Sequence, residues 1–589
     1  MTTAADMLVQ GGLPDYLIVG GGTSGCVLAA RLTESPDVRV LLVEAGPDLT
    51  EESQPADIRS GNPSRAFFTR EFFFDGLMAR FGAVPTVPDA PRPAAKYEQA
   101  RVLGGGSAIN GMLGNRGAPA DYDEWEALGA EGWNWASTLP YFRKLERDLD
   151  VSGDLHGADG PVPISRPDPA TFCGFVRGTR DMLLARGVPT VEDQNGDWGD
   201  GVMRVTTTIS ERAERASAAV CYLTPEVRRR PNLVVVTGRS VNRLMQDAGT
   251  VTGAEIAGPD GPVRIAARET IVCCGAINTP ALLQRSGFGP ADLLTRTGVP
   301  VVRDIAGVGQ NLQEHPALGI SCFIRPGNRH SDSRRHHTQV HYRFSSGLEG
   351  CPETDMHMAV LARSAWHDVG EQLGTYYLWI NKSYSTGHVA IASPEADKLP
   401  DVDFRLLSDQ RDLQRMRDGF RRVASVALDP ALDAVRAEVF PTIFSDRVRQ
   451  VSRPGQWNAF QTAVFARVLD FAGFARGALI RRFIAPYDIR ELLADDAALD
   501  AYLHKAIVGV WHCVGTCRMG RADDPAAVTA SDGRVHGVPG LRIGDASLMP
   551  TVPCANTNIP TFMLAERIAD LIRSESRAAP AGLQQETMP

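Results

Sequence analysis

The strongest constraint on this chain lies between residues 15 and 46, DYLIVGGGTSGCVLAARLTESPDVRVLLVEAG. Tyr16 to Val19 is a short apolar run ending in glycine, as a buried parallel strand would read. Gly20-x-Gly22-x-x-Gly25 and an Ala/Leu-rich helical stretch follow, then a second apolar run, Val38 to Val43, ending in Glu44. Strand, glycine turn, helix, strand and acid, in that order, form a dinucleotide-binding fingerprint. Gly20 permits the tight turn, Gly22 lets backbone N–H groups approach a pyrophosphate, and Gly25 lets the helix pack on the strand. The pyrophosphate would sit at the positive end of that helix. Glu44, 19 residues beyond Gly25, is placed to hydrogen-bond ribose hydroxyls and to repel the extra phosphate of NADP. The fingerprint by itself does not separate FAD from NAD.

Composition fits a globular binder of small molecules. The 589 residues are 43% hydrophobic, which excludes a disordered chain. With 61 Lys+Arg against 70 Asp+Glu the net charge is −9, unlike the basic surface of a nucleic-acid binder. Length alone suggests about four domains. The ten cysteines stand mostly in apolar runs and read as buried, reduced thiols. Cys513 and Cys517 lack a second pair at zinc spacing, so no metal site is expected. No Lys or Arg precedes Arg31, and no apolar run approaches the roughly 18 residues that span a bilayer. The expectation is a cytoplasmic protein with small-molecule partners and neither nucleic-acid nor membrane contact.

Residues 100–117, ARVLGGGSAINGMLGNRG, place four small residues at Gly104 to Ser107, a backbone surface suited to close approach. Further motifs lie at 275–289 (GAINTPALLQRSGFG), 307–315 (GVGQNLQEH), 511–520 (WHCVGTCRMG) and 540–572 (GLRIGDASLMPTVPCANTNIPTFMLAERIADLI). On these motifs, in this order, the chain resembles the glucose-methanol-choline (GMC) flavoprotein oxidoreductases from about Asp15 to Ile572. The likeness is nearest to the bacterial 5-(hydroxymethyl)furfural and aryl-alcohol oxidases, through NRGAPADYDEWEALGAEGWNW at 115–135, GVWHCVGTCRMGRADD at 509–524 and PTVPCANTNIPTFMLAE at 550–566. Gly114 stands where the family has an aromatic residue or alanine, which implies a looser wall beside the flavin ring.

The resemblance implies an α/β fold. A Rossmann-like FAD-binding domain would be assembled from residues 14–150, 230–330 and 500–575, and a substrate-binding domain on an antiparallel sheet from 151–229 and 331–499. It implies FAD held without a covalent link, because residues 104–112 contain no histidine. Besides the fingerprint's Gly20, Gly22, Gly25 and Glu44, it marks Thr23, Ser24, Ala45, Arg101, Gly105, Gly106, Asn110, Gly111, Met112, Leu113, Val241, Gly275, Trp511, Asp545, Ala546, Asn556, Thr557 and Asn558 as cofactor contacts. His512 takes the place of the catalytic base, a role that imidazole suits with its ordinary pKa near 6.5. Asn556 takes that of its partner, whose amide would steady a developing alkoxide. Tyr376, Tyr377 and Trp511 are candidates to contact a flat substrate, although Tyr376 and Tyr377 read equally as core strand.

The reaction implied is oxidation of a primary, aromatic or furanic alcohol to the aldehyde, with hydride passing to flavin and electrons to dioxygen. A dehydrogenase using another acceptor and a non-redox hydroxynitrile lyase are the alternatives within the same fold. Residues 325–344, RPGNRHSDSRRHHTQVHYRF, hold five arginines and four histidines. They read as a solvated loop or as a lid attracting anionic substrates, and His336, His337 and His341 have no matching carboxylates for a metal. Residues 1–13 and 573–589 are expected to be loose ends.

Overall fold

The computed structural model describes residues 12–578, except 89, 93, 259, 331, 333, 334, 444 and 445. The fingerprint strand Tyr16–Val19 is the centre of a five-stranded parallel sheet, in the order Leu541–Ile543, Glu269–Val272, Tyr16–Val19, Val40–Val43, Leu233–Val236. Both faces of such a sheet are covered, which is why YLIV and VLLV are unbroken apolar runs without polar alternation. The sheet draws on segments more than 500 residues apart and closes through buried polar ties. Glu566, wholly buried on the C-terminal helix Asn558–Ala578, accepts from Arg31 Nη2 at 2.7 Å, Tyr222 Oη at 2.8 Å and Lys144 Nζ at 2.8 Å. That helix runs to Ala578, so the stretch beyond Ile572 begins as helix and not as a loose end. Residues 1–11 and 579–589 lie outside the described residues.

The second layer is a seven-stranded sheet in the order Arg436–Pro441, Ala317–Ile324, Leu373–Ile380, Met356–Leu361, Thr338–Phe344, Gly201–Arg204, Thr190–Val191. It is antiparallel except at its last pair. Helices Gly174–Ala185 and Gln410–Ala427 cover one face and bury Phe175, Met416 and Phe420 against Tyr376 and Leu378. The other face looks toward the parallel sheet.

Strand pairing moves the expected domain boundaries in two places. Ala317–Ile324 pairs within the seven-stranded sheet, so the nucleotide piece 230–330 ends before it. Val162, Ile164 and the helix Ala218–Tyr222, assigned by sequence to the substrate piece 151–229, share one core with the parallel sheet. The sequence boundaries followed where glycine motifs stop, whereas the core follows where apolar side chains find partners.

Lys382 fastens the two layers near the site. It is almost wholly buried, and its Nζ donates to Val552 C=O at 3.1 Å and Thr551 Oγ1 at 3.0 Å, lies 3.3 Å from Asp121 Oδ1 and also pairs with Glu124. Breaking a buried pair on one side leaves the other charge uncompensated, at a cost of about 3–5 kcal/mol. Lys382→Met should therefore lower the thermal midpoint by several degrees, read by calorimetry on the flavin-loaded protein, whereas an exposed change such as Lys398→Met should leave it unmoved.

Candidate active site

Gly20, Glu44, Cys273 and Asp545 all stand just beyond the carboxyl ends of parallel strands, where open α/β sheets bind ligands. A cavity of about 2780 Å³ opens there and continues between the two sheets. A single small-ligand pocket is about 300–1,000 Å³, so this space can take a dinucleotide and a substrate together.

Its inner end is built from close backbone approaches. A Cβ on Gly25 would lie 2.0 Å from Gly20 C=O, and one on Gly105 would lie 2.6 Å from Gly22 Cα. Gly105 has φ +54°, and its neighbour Gly104 has φ +94°, both in the left-handed region. The glycine run thus lays its backbone directly on the fingerprint turn. The Glu44 carboxylate accepts from the N–H groups of Gly21 at 2.8 Å and Gly46 at 2.7 Å, which holds it at the end of its strand while burial raises its pKa. Asp545 accepts from Gly275 N–H at 2.8 Å, Thr279 Oγ1 at 2.5 Å and Ser547 N–H at 2.8 Å, pinning the start of helix Gly275–Arg285. Burial raises its pKa as well.

All cofactor contacts expected from sequence line the cavity except Gly25 and Met112. Gly25 acts one step removed, by letting helix and turn touch. Met112 is fully buried, with φ 56°, and its carbonyl is taken by Thr208 N–H at 2.8 Å; the left-handed turn withdraws its side chain from the lining. Gly114 is also no part of the wall: a Cβ there would meet Ile164 at 3.1 Å and Thr207 backbone at 3.2 Å, so its smallness serves packing behind the site.

At the outer end, three side chains form a directional chain. His315 Nε2 lies 3.1 Å from Pro553 C=O, which can only accept, so Nε2 carries the proton. Burial pushes the pKa of His315 down to about 3, making it neutral, and its Nδ1 is therefore an acceptor. His315 Nδ1 is 2.9 Å from His512 Nδ1, which must then be the donor. The remaining nitrogen of His512, Nε2, is left with a lone pair and accepts from Asn556 Nδ2 at 2.9 Å. Burial, followed by the neighbouring His315, holds the pKa of His512 well below the ordinary imidazole value. Below this chain sits Glu314, wholly buried, whose carboxylate accepts from His512 N–H at 2.9 Å, His315 N–H at 2.8 Å and Tyr97 Oη at 2.6 Å. Burial lifts its pKa to about 7. Trp511, just before His512, has φ 61° and stacks on Tyr97 with ring centroids 5.9 Å apart. A tryptophan in that backbone region is an outlier that its surroundings must hold.

Glu314, His315 and Tyr97 received no role from sequence. The QEH end of 307–315 marked the first two, but nothing local in the sequence indicates that they reach His512. Of the two readings open for Tyr376, substrate contact and core strand, the second holds: it alternates to the helix-covered face, fully buried, 3.0 Å from Thr179 Oγ1. Tyr377 and Trp379 point the other way and line the cavity. The segment 325–344 is neither a solvated loop nor a lid throughout, because Thr338–Phe344 is a fully buried strand of the seven-stranded sheet. Its His341 packs edge-on against His357 and Trp379, and Arg343 donates to the carbonyls of Asp197 and Gly199. Of the segment's described residues, His336, His337 and Thr338 reach the lining.

Fold and site together define a flavin-type oxidoreductase in two layers. The GMC oxidoreductase family description matches residues 14–317 and again 383–565, and the chain belongs to that family. It is 40% identical over 576 residues to a 5-(hydroxymethyl)furfural oxidase of Methylovorus sp., covering 95% of this chain and 99% of the relative. It is 32% identical over 593 residues to an oxygen-dependent choline dehydrogenase of Pseudomonas savastanoi pv. phaseolicola, covering 95% and 93%. Among solved structures, pyridoxine 4-oxidase from Mesorbium loti superposes with a TM-score of 0.78 at 26% identity, over 95% of this chain and 99% of that one. The family cofactor, FAD, fits the cavity. Ser24 Oγ, Asn556 Oδ1 and Asn558 Nδ2 are buried polar atoms without a protein partner on residues that line it. Each such atom costs about 1–3 kcal/mol unless a ligand pairs it.

The Gly105–Gly22 approach yields a direct test. Gly105→Val puts branched carbon where 2.6 Å separates the backbones and demands a left-handed φ. The purified variant should be colourless, with a flavin-to-protein absorbance ratio below about a tenth of the parent's.

Proposed function

We propose that this chain oxidises a primary alcohol, aromatic or furanic, to its aldehyde with bound FAD, and that dioxygen takes the electrons to give hydrogen peroxide. The observation that carries the reading is the directional chain from Pro553 through His315 to His512, which leaves His512 Nε2 unprotonated beside Asn556 in the cavity. Bound FAD supplies the hydride acceptor. Everything else is the work of the chain's own groups. A substrate hydroxyl entering between His512 and Asn556 would donate to Nε2 and accept from the Asn556 amide. As the O–H proton moves to Nε2, the alcohol oxygen gains charge that the amide N–H offsets, and the hydride leaving the carbinol carbon completes the carbonyl. His315 keeps the His512 ring in the one tautomer that can act as base. Tyr377, Trp379 and Trp511 supply aromatic walls for a flat ring, and the 40% identical furfural-alcohol oxidase supports a furanic or aryl substrate.

Anaerobic addition of benzyl alcohol should bleach the flavin, and admitting air should restore the colour with about one peroxide per turnover. Restoration that requires a quinone or dye would point to the dehydrogenase alternative, and no bleaching by a broad alcohol panel would remove the redox reading. His512→Ala should lower the bleaching rate about a hundredfold or more while flavin stays bound; an unchanged rate would reject the assignment.

The pH dependence follows from the depressed pKa of His512. A base with lowered pKa keeps its lone pair on the acid side of neutrality and loses it only as pH falls through that lower value. Of His512 and Glu314, only Glu314, its pKa lifted to about 7, titrates between pH 7.5 and 5.5. His512 keeps its lone pair throughout, so kcat/KM should not show the roughly tenfold loss of an ordinary imidazole of pKa near 6.5 over that range. Steady-state rates across that range provide the check.

A further inference from the structure

The most exposed aromatic rings of the described chain cluster in one short region. Helix Gln456–Phe471, the turn after it and helix Arg476–Phe483 hold Trp457, Phe460, Val464, Val468, Phe471 and Phe474 at the surface. Phe471 is 89% exposed and Phe474 is fully so. The spacing 457, 460, 464, 468, 471 follows one helical face, opposite the buried Thr462, Ala466 and Leu469. That inner face is fastened firmly. Gln372 Nε2 donates to Ala466 C=O at 2.9 Å, Arg476 Nε to Leu469 C=O at 2.7 Å and Trp366 Nε1 to Ser452 C=O at 2.6 Å, and Arg329 pairs with Asp470. The exposed stripe is thus held on a rigid base.

Charge identifies what the stripe meets. Residues 446–483 contain seven arginines and two aspartates, with no lysine or glutamate, in a chain whose net charge is −9. Arg447, Arg453, Arg467, Arg481 and Arg482 are exposed, with Arg447 over the Phe483 ring at 4.8 Å and Arg481 3.7 Å from Asp488. Aromatic residues on one face with arginines at its rim match an acyl boundary beneath anionic headgroups. A second copy of the chain fits less well, because a two-fold contact would bring the same basic patch against itself. The place of the patch has a consequence as well. Phe465 and Phe483 from these helices, with Arg447 to Pro454 before them, line the outer part of the same cavity that holds His512.

We propose that residues 446–483 form a monotopic docking element that seats on an anionic lipid bilayer, so that the cavity mouth opens at the membrane surface. No helix among the described residues is long and apolar enough to cross a membrane; docking needs only partial burial of the rings. The expectation of no membrane contact drawn from composition considered spanning segments alone. Docking stands apart from the redox reading, since it is measured as binding.

The test is flotation of the flavin-loaded protein with vesicles of equal phosphatidylcholine and phosphatidylglycerol, beside vesicles of phosphatidylcholine alone. The parent should float with the anionic vesicles, about tenfold more than with neutral ones, and high salt should release it. A Trp457→Ser, Phe460→Ser, Phe471→Ser, Phe474→Ser variant changes only exposed rings outside the cavity lining. It should lose about tenfold or more of the binding while keeping its thermal midpoint and its rate of flavin bleaching by benzyl alcohol. Arg453→Glu with Arg482→Glu should remove the preference for anionic vesicles. The proposal is overturned if the parent stays in the aqueous layer, if the serine variant floats equally well, or if sedimentation finds a parent dimer that the serine variant converts to monomer.

Discussion

The site rests on one requirement: polar groups taken out of water must pair with one another. Pro553 offers only an acceptor, so His315 must donate to it through Nε2 and accept through Nδ1, and His512 must donate through Nδ1. Direction passes along the chain until it ends at His512 Nε2, an unprotonated nitrogen that accepts from Asn556 Nδ2. In water each imidazole would exchange tautomers freely. Burial removes that freedom, because a wrongly placed proton would leave a donor facing a donor, at a cost of about 1–3 kcal/mol or more. The same burial keeps both histidines neutral, as the proposed role of His512 requires.

That chain exists only because distant segments are forced together. Tyr97, Glu314, His315, His512, Pro553 and Asn556 come from four regions of sequence, and the sheets decide that they meet. The parallel sheet places strands from residues 16 and 541 within one layer, and Ala317–Ile324 leaves the GVGQNLQEH motif at its near end. Lys382 then fastens the two layers, and Glu566 ties the helices packed on the parallel sheet to one another, each with its buried charge paired. Such ties add specificity more than stability: each excludes arrangements that would strand a charge.

The legible part of the fold was local. Gly20, Gly22, Gly25 and Glu44 could be read because the backbone geometry they serve lies within a single strand, turn, helix and strand. Tyr377 and Tyr376 illustrate the limit. Neighbours in sequence, they face opposite sides of a strand, and only the position of helices Gly174–Ala185 and Gln410–Ala427 determines which side is core. The basic segment 325–344 misled for a similar reason. Its charges suggested solvent, yet His341 and Arg343 are buried because aromatic rings and carbonyls of other strands are waiting for them. The exposed stripe at 457–474 is the converse case, apolar residues that no element of the described chain covers.

By itself, then, the sequence determined a dinucleotide cradle and the family of the chain, and it marked His512 and Asn556 for the roles proposed above, since each is written in contiguous residues whose backbone demands are local. Tertiary structure alone decided which nitrogen of His512 carries no proton, that His315 sets it, that Glu314 holds the His512 backbone, and which aromatic residues face the cavity and which face solvent. These depend on partners hundreds of residues away, and burial converts such partnerships from weak preferences in water into requirements.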